Sequence, residues 1–456
     1  MKRKNIQYLF ISVILLQFSC KGFLKIDPPK NSLVQETVFQ NNDQASSAIR
    51  GIYSTMSGSS SYASGGSLSI TCYAGLSSDE LIGYNATNIP FYENQITPEI
   101  SSLPALYMAP YQTIYSANSI LEGLEAPNGV TPPVKSQLEG EALFIRAFSY
   151  FYLVNMFGAV PLQLTTDYRI TQISPRTSIN KVYQQITSDL LAAEDLLTDN
   201  YPTTGRVRPN RTAVQALLAR SYLYQQDWIN AEKYSTLVIK NNTYNLVALD
   251  AIFLADSQET IWQLMPMANS NTQDGNLFIL NSTPTIVSLN QDFALNAFEN
   301  NDKRRTSWVK SYTNSSGTYY YPFKYKIKNS TAVTEYSMVL RLAEQYLIRA
   351  EARAQQDNLN DAINDLDKIR FRAGISLIKD TKPNIGKSEL LSTILKERRI
   401  ELFSEWGHRW FDLKRTGKAG EVLSLVKSKW DSIDVLYPIP VNEILRNPNI
   451  NQTDGY

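Results

Sequence analysis

The segment ERRIELFSEWGHRWFDLKRTG, residues 397–417, concentrates charged and aromatic side chains in one helix and the turn that follows it. Leucine and isoleucine recur there at helical spacing, so Arg398, Glu401 and Glu405 fall beside or within the apolar stripe rather than opposite it. A charge buried without a partner would cost several kcal/mol, so these groups must be paired. We predict that the arginines of this segment form forked ion pairs with its own carboxylates and that Gly407 ends the helix.

Three further blocks continue this pattern along the chain. The first is EALFIRAFSYFYLVNMFGAVPL, residues 141–162. The second runs from VLRLAEQYLIRAEARAQ, residues 339–355, to IRFRAG, residues 369–374, and the third is the terminal LYPIPVNEILRNPNINQTDGY, residues 436–456. In content and order the blocks resemble the SusD/RagB family, the nutrient-binding outer-membrane lipoproteins of Bacteroidetes. The resemblance implies a mostly α fold, in which a tetratricopeptide-like scaffold of helical pairs carries a loop-rich lobe with short β pieces.

The residues themselves also indicate helical pairs. Ala219 and Ala231 have the same separation as Ala350 and Ala362, and small residues at such positions let two antiparallel helices approach closely. We predict further helices at residues 43–56, 139–156 and 181–197 from their apolar periodicity. The alternative is an ordinary helical core in which the alanine spacing is a coincidence.

The start of the chain resembles a lipoprotein export signal. Residues 1–19 combine a basic start with a short apolar run, and Cys20 follows Ser19 as in a bacterial lipobox. Acylation of Cys20 would hold the protein on a membrane without a spanning helix. The alternative is a plain secretory peptide with a chance cysteine. Cys72 would then be the only other cysteine, so no disulfide could form within the mature chain.

We expect one SusD/RagB-like domain over residues 20–456. It divides into an N-terminal part with helical pairs (20–240), a loop-rich ligand-side lobe (241–332) and a C-terminal part (333–456). Between residues 241 and 332 helical periodicity fades and Asn, Ser and Thr accumulate, apart from short β-prone pieces such as residues 260–265. A second loop-rich region is expected from Gly75 to Pro110.

The composition argues against several classes of function. The 44 Lys and Arg residues nearly balance the 43 Asp and Glu residues, which argues against nucleic acid as a partner. His408 is the only histidine, so no His-pair zinc site can form, and its place in the charged segment favours a structural role. Cys72 has no Cys-x-x-Cys spacing and is expected to be a buried thiol. No cofactor or metal site is indicated.

Two stretches offer what a carbohydrate site needs, namely aromatic rings flanked by amides and charges. By resemblance, the family's ligand-contacting aromatics come from loops in these two neighbourhoods. In the first stretch the candidates for ligand binding are Tyr84, Asn85, Phe91 and Tyr92. In the second stretch the candidates are Arg304, Trp308, Tyr312, Tyr319 and Tyr320. For each aromatic the alternative is a packing role, which we favour for Trp262 and Tyr325.

The resemblance implies a lipid-anchored protein of the outer membrane, facing the exterior. It would capture an oligosaccharide or polysaccharide and deliver it to a SusC-like TonB-dependent transporter, without catalysis. One alternative is the uptake of oligopeptides, which some relatives perform. Another is a glycoside hydrolase that uses a pair of carboxylates, although the sequence singles out no such pair.

Overall fold

A computed structural model describes residues 38–267 and 270–456 of the chain. The predicted signal peptide and the predicted lipidation site Cys20 lie outside these residues. The described part is mainly helical, as predicted. Its nineteen α-helices are α1 (Asn42–Ser57), α2 (Ile70–Ser77), α3 (Ile89–Glu93), α4 (Leu103–Glu125), α5 (Pro132–Phe157), α6 (Tyr168–Thr171), α7 (Ile179–Leu196), α8 (Arg211–Tyr224), α9 (Trp228–Ile239), α10 (Gln273–Phe278), α11 (Gln291–Asn296), α12 (Lys303–Trp308), α13 (Leu342–Gln355), α14 (Leu359–Ala373), α15 (Ile378–Thr381), α16 (Lys387–Glu401), α17 (His408–Arg415), α18 (Ala419–Leu423) and α19 (Val441–Arg446).

The strands are short and form three small antiparallel sheets. They are β1 (Leu81–Gly83), β2 (Val160–Pro161), β3 (Arg176–Thr177), β4 (Thr260–Leu264), β5 (Val287–Leu289), β6 (Val309–Asn314), β7 (Gly317–Pro322) and β8 (Ser337–Arg341). The largest sheet has the order β1-β5-β7-β6, while β2 pairs with β3 and β4 with β8. Short 3-10 turns occur at Thr204–Arg206, Leu249–Ala251 and Ser432–Val435.

Local sequence explains where the first helix forms. The Asn41 side chain accepts a hydrogen bond from the Gln44 backbone N–H at 3.0 Å, which satisfies one of the free donors at the start of α1. Ala45, Ile49 and Ile52 then recur on one face and are buried. The helix predicted at residues 43–56 is therefore confirmed, as are those around residues 139–156 and 181–197.

The predicted helical pairs are present and stack side by side. Helices α8 and α9 form one pair, α13 and α14 the other, and α9 packs against α13. The alanines that suggested the pairs, Ala219, Ala231, Ala350 and Ala362, are fully buried where the helices approach. Helices α4, α5 and α7 extend the same stack ahead of α8. This scaffold supports the short strands.

Two sequence predictions about boundaries are wrong. Helix α16 ends at Glu401, and Gly407 instead precedes α17 as its N-cap, with a left-handed φ of 71° that suits glycine. The region from Gly75 to Pro110 is loop-rich only in its centre, because α2 continues to Ser77 and α4, which begins at Leu103, contains Pro110.

Within residues 38–267 and 270–456, no helix combines the length and the apolar character that crossing a membrane requires.

Candidate functional site: a tyrosine platform held by a buried charge network

The charged segment at residues 397–417 is the centre of a buried ionic network. Arg341 donates to Glu401 Oε1 from Nη1 at 2.7 Å and to Glu405 Oε2 from Nε at 2.8 Å, and Arg304 Nη1 lies 3.1 Å from Glu401 Oε2. Arg372 also donates to Glu401. Burial alone would raise the pKa of the Glu401 carboxyl, but the guanidinium groups around it hold that pKa far below its usual range.

The prediction that this segment pairs its charges internally holds only for Asp412, which binds Arg398 and Arg415 at 2.8 and 2.7 Å. The other pairs reach across the chain. Arg399 and Arg409 both bind Asp79, each at 2.7 Å. Carboxylates of the segment are instead neutralised by cations from α12, α14, β8 and the residues that follow β7. The network therefore joins parts of the fold that are distant in sequence.

Several partners of this network lie next to the strands of the largest sheet. Asp79 precedes β1 by two residues, Arg304 belongs to the helix that runs directly into β6, and Lys324 follows the end of β7 by two residues. Lys324 donates to the Glu401 carbonyl oxygen at 2.8 Å. Removing one partner of a buried ion pair strongly destabilises a protein. The network therefore holds in place the residues that flank these strands.

The sheet that is held in this way carries a row of tyrosines on one face. The Tyr84 hydroxyl lies 2.8 Å from the Ser288 Oγ of β5, and the Tyr84 ring meets the Tyr319 ring edge to face, with centroids 6.2 Å apart at 75°. In the β6–β7 register Tyr312 lies opposite Tyr319. Tyr321, two residues from Tyr319, points to the same side. We call Tyr84, Tyr312, Tyr319 and Tyr321 the tyrosine platform.

The platform rings are neither buried nor fully exposed. All four tyrosines are partly exposed. Burial raises the pKa of Tyr84, the hydrogen bond with Ser288 lowers it, and nearby Tyr319 and Tyr92 raise it further. Tyr92 of α3 is partly exposed, and Lys427 Nζ is 5.4 Å from its ring centroid. Each platform tyrosine is therefore partly accessible to a ligand.

Two other candidates lie outside the platform, one at its margin and one on the opposite face of the sheet. Asn85 Oδ1 accepts a hydrogen bond from the Asn88 backbone N–H at 2.9 Å, so this amide shapes the turn after β1. Tyr320 is on the opposite face of the sheet from Tyr319, since it pairs in register with buried Leu289, and Arg305 lies 5.5 Å from its ring centroid.

Three of the predicted ligand-contacting residues are in the interior, and the expectation that they form an exposed site is wrong. Phe91 is fully buried against Tyr73, with ring centroids 4.1 Å apart. Trp308 is fully buried and donates from Nε1 to the Leu249 carbonyl oxygen at 3.2 Å. Arg304 is fully buried within the charge network, where Asp302 binds it at 2.7 Å.

Two residues that sequence reasoning missed belong to the platform surface. Ser288 binds Tyr84, and Lys310 lies opposite Tyr321 in the β6–β7 register. Among the described residues, Lys310 Nζ makes no hydrogen bond and no ion pair, although it lies 5.9 Å from the Phe323 ring centroid. The alternation of β6 could have identified Lys310, because it is two residues before Tyr312. Nothing in the sequence around Ser288 indicates its position beside Tyr84.

His408 and Cys72 are both buried, as expected for structural side chains. Burial lowers the pKa of His408 well below its usual value, and surrounding cations lower it further. Burial raises the pKa of the Cys72 thiol to about 12, which keeps it protonated. In the described part of the chain, no group of His, Cys, Asp and Glu side chains is arranged to hold a metal ion. Trp262 and Tyr325 are buried, as predicted.

Two family models match most of the chain. Residues 23–223 match a model described as starch-binding, associating with outer membrane, and residues 290–456 match the SusD family model. The chain belongs to the SusD/RagB family. Among full-length relatives of this SusD-type chain, a SusD-like protein of Formosa agariphila is 23% identical, with 100% of this chain and 99% of that protein covered.

Solved structures with similar folds include SusD-like proteins. A SusD superfamily protein of Bacteroides vulgatus has a TM-score of 0.80 at 21% identity, covering 92% of this chain and 100% of that one. A laminarin-binding SusD-like protein has a TM-score of 0.77 at 23% identity, with the same two coverages. The starch-binding protein SusD of Bacteroides thetaiotaomicron is 33% identical over 130 residues, which are 26% of this chain and 21% of that protein.

Proposed function

We propose that this SusD-type protein captures a carbohydrate on the tyrosine platform and passes it, chemically unchanged, to a SusC-like TonB-dependent transporter of the outer membrane. The observation that carries the proposal is the shared face of Tyr84, Tyr312, Tyr319 and Tyr321 beside Ser288. The starch-binding and laminarin-binding proteins that resemble this chain support a saccharide as the ligand.

The chemistry of the platform fits a saccharide. A sugar ring has an apolar face of C–H groups and a rim of hydroxyls, so it binds best where aromatic faces and hydrogen-bonding groups alternate. The phenol hydroxyls and the exposed Lys310 ammonium, which has no hydrogen-bond or ion-pair partner among the described residues, supply such groups around the rings. The platform tyrosines are only partly buried, which suits a cargo that must be released again.

The remaining features of the proposal come from the family and from residues that the structure does not describe. Acylated Cys20 would anchor the protein to the outer membrane, with the platform facing the exterior. We also keep the division into an N-terminal part (20–240), a ligand-side lobe (241–332) and a C-terminal part (333–456) as a proposal. In this division the lobe contributes Ser288 and the platform residues of β6 and β7.

Catalysis by a carboxylate pair has no support in the charged segment. Its buried carboxylates Glu397, Glu401 and Glu405 are each bound by arginine or lysine side chains. A glycosidase needs one carboxyl group that is free to carry a proton to the leaving oxygen. These groups instead have the geometry of a structural network.

A soluble form that begins at Lys21 tests the proposal. We would incubate it with separate pools of polysaccharides and of oligopeptides, measure retention by ultrafiltration, and analyse the recovered ligand by mass spectrometry. We expect retention of a carbohydrate and no new products. New reducing ends would identify a hydrolase, and selective retention of peptides would replace carbohydrate capture by oligopeptide uptake.

A further inference from the structure

A cleft opens in the helical scaffold, and none of its lining residues belongs to the tyrosine platform. It has a volume of about 790 Å³, within the usual range for sites that bind small molecules. Four parts of the scaffold meet there: the turn between α8 and α9, the end of α13, the first half of α16, and the turn that follows α17. The cleft therefore belongs to the helical pairs and shares no residue with the sheet.

Most of the charged groups that line this cleft already have charged partners. Arg415 binds Glu351 with both of its terminal nitrogens, at 2.6 and 2.7 Å, and binds Asp412 at 2.7 Å. Lys387 donates to the Gln355 carbonyl oxygen at 2.7 Å and pairs with Asp357 at 3.1 Å. Lys414 also lines the cleft and donates to the Asn155 carbonyl oxygen, so among the described lining residues Lys418 is the one cation without a partner.

The walls of the cleft are amphipathic. Leu391 and Leu395 of α16 are partly exposed on one side, one helical turn apart, and the half-buried Trp228 indole is on another. Among the described residues, no other aromatic ring stacks on Trp228. An apolar surface that combines an indole face with two leucines is available to a ligand.

Polar groups without partners line the same cleft. The Trp228 indole N–H, the Gln355 side-chain amide, the Ser388 hydroxyl and the Lys418 ammonium make no hydrogen bond or ion pair within the part of the chain that the structure describes. The Thr416 hydroxyl, which also lines the cleft, does have a partner, because its Oγ1 donates to the Asp412 carbonyl oxygen at 2.7 Å. The free groups come from four different elements, so they surround the space instead of lining one edge.

We propose that this cleft is a second carbohydrate site, which binds a short oligosaccharide between Trp228, Leu391 and Leu395. The C–H faces of the sugar would cover the indole and the leucines, while its hydroxyls would pair with Gln355, Ser388 and Lys418. A neutral, polyhydroxylated ligand matches both the paired charged groups and the unpartnered polar groups that line the cleft. The proposal does not depend on the tyrosine platform.

Calorimetry with four oligosaccharide series (malto, laminari, cello and xylo) tests the second site. The protein would be the soluble chain with Tyr84→Ala and Tyr319→Ala, so that platform binding is removed. We expect one series to bind with a stoichiometry of one. Gln355→Ala and Ser388→Ala should each weaken this binding about 2- to 12-fold, which is the effect of losing one hydrogen bond. Glu389→Ala, an exposed change on the same helix, should leave it unchanged.

Several results would overturn the proposal. They are the absence of binding by all four series, affinities unchanged by the cleft substitutions, and binding of oligopeptides instead. Gln355 and Ser388 are partly or fully exposed, so these variants should fold, and melting curves verify this. Lys418→Ala on the turn after α17 provides an independent third position. A failure of the platform proposal would appear differently, as a parent protein that binds sugar equally well with and without Tyr84 and Tyr319.

Discussion

Replacing Glu401 by glutamine removes one charge from the centre of the buried network while keeping the size of the side chain. In the parent, the Glu401 carboxylate is fully buried and is bound by Arg304, Arg341 and Arg372. The amide oxygen of glutamine can accept hydrogen bonds from only some of these guanidinium N–H groups. Its own N–H group is a donor and cannot pair with the others. Arg304, Arg341 and Arg372 would each lose one of the carboxylates that neutralise them.

The expected loss of stability is large. Removing one partner from a buried ion pair typically costs about 3–5 kcal/mol. A chain of this length unfolds with an entropy of about 1 kcal/mol/K, so the melting temperature should fall by about 3–5 °C at pH 7. The matched control is Glu389→Gln on the same helix, because Glu389 and its partner Lys382 are each 55% exposed. This control should change stability by less than about 1 kcal/mol.

The difference in the free energy of unfolding between parent and variant should also depend on pH. Because the folded-state pKa of Glu401 is far below its ordinary value of 4.5, its contribution is complete above pH 4.5 and is lost as the pH falls toward the folded-state pKa. The parent loses about 1.4 kcal/mol of this stability per pH unit below pH 4.5. Near pH 3 the difference in the free energy of unfolding between parent and variant should therefore be smaller by about 2 kcal/mol. Glutamine does not titrate, which isolates the effect.

Melting curves of the parent, Glu401→Gln and Glu389→Gln, recorded by circular dichroism from pH 3 to pH 8, measure both effects. The reasoning is refuted if Glu401→Gln melts within about 1 °C of the parent at pH 7. A gap that stays constant down to pH 3 would equally show that the Glu401 carboxylate is not held ionised by its arginines.

Three further substitutions test other parts of the structure. Trp308→Ala should lower the free energy of unfolding by about 3–5 kcal/mol because the ring is fully buried, and chemical denaturation that finds a loss below 1 kcal/mol would place Trp308 at the surface after all. Gly407→Ala should lower the free energy of unfolding by at least about 1–2 kcal/mol, because the φ of Gly407 is 71° and the new Cβ would lie 2.4 Å from the Ala74 Cβ. The control in the same melting assay is Gly386→Ala, whose new Cβ would have no atom within 4 Å. Cys20→Ala should move the protein from the membrane fraction to the soluble fraction, and unchanged fractionation with retained acyl label would rule out lipidation at Cys20.

The helical scaffold could be predicted because its signals are local. Ala219 and Ala231 mark the close approach of two helices, and the burial of both follows directly from their spacing. The boundary near Gly407 was mispredicted because glycine favours the left-handed region both after a helix and before one. Only the hydrogen bonds of the preceding turns show that α16 has already ended at Glu401.

The candidate site was less predictable because burial depends on contacts that are distant in sequence. Trp308 lies in a polar, loop-like stretch, yet Phe403 and Lys324 cover its ring, and neither is close to it along the chain. The charges of residues 397–417 were expected to find partners nearby, but Asp79 lies more than 300 positions away in sequence. By contrast, the alternation of β7 alone separates Tyr319 from Tyr320, so the platform face could be predicted once the strand was known.

The central claim is that the tyrosine platform binds carbohydrate, and calorimetry on the Tyr84→Ala, Tyr319→Ala double variant tests it most directly. The titrant is the best carbohydrate from the pool screen, and Tyr168→Ala, which removes a tyrosine that is 70% exposed and lies outside the platform, is the control. Each half-buried ring should contribute about 1–2 kcal/mol, so the double variant should bind at least about 30-fold more weakly while the control binds like the parent. A folded double variant with both the affinity and the stoichiometry of the parent would contradict the account.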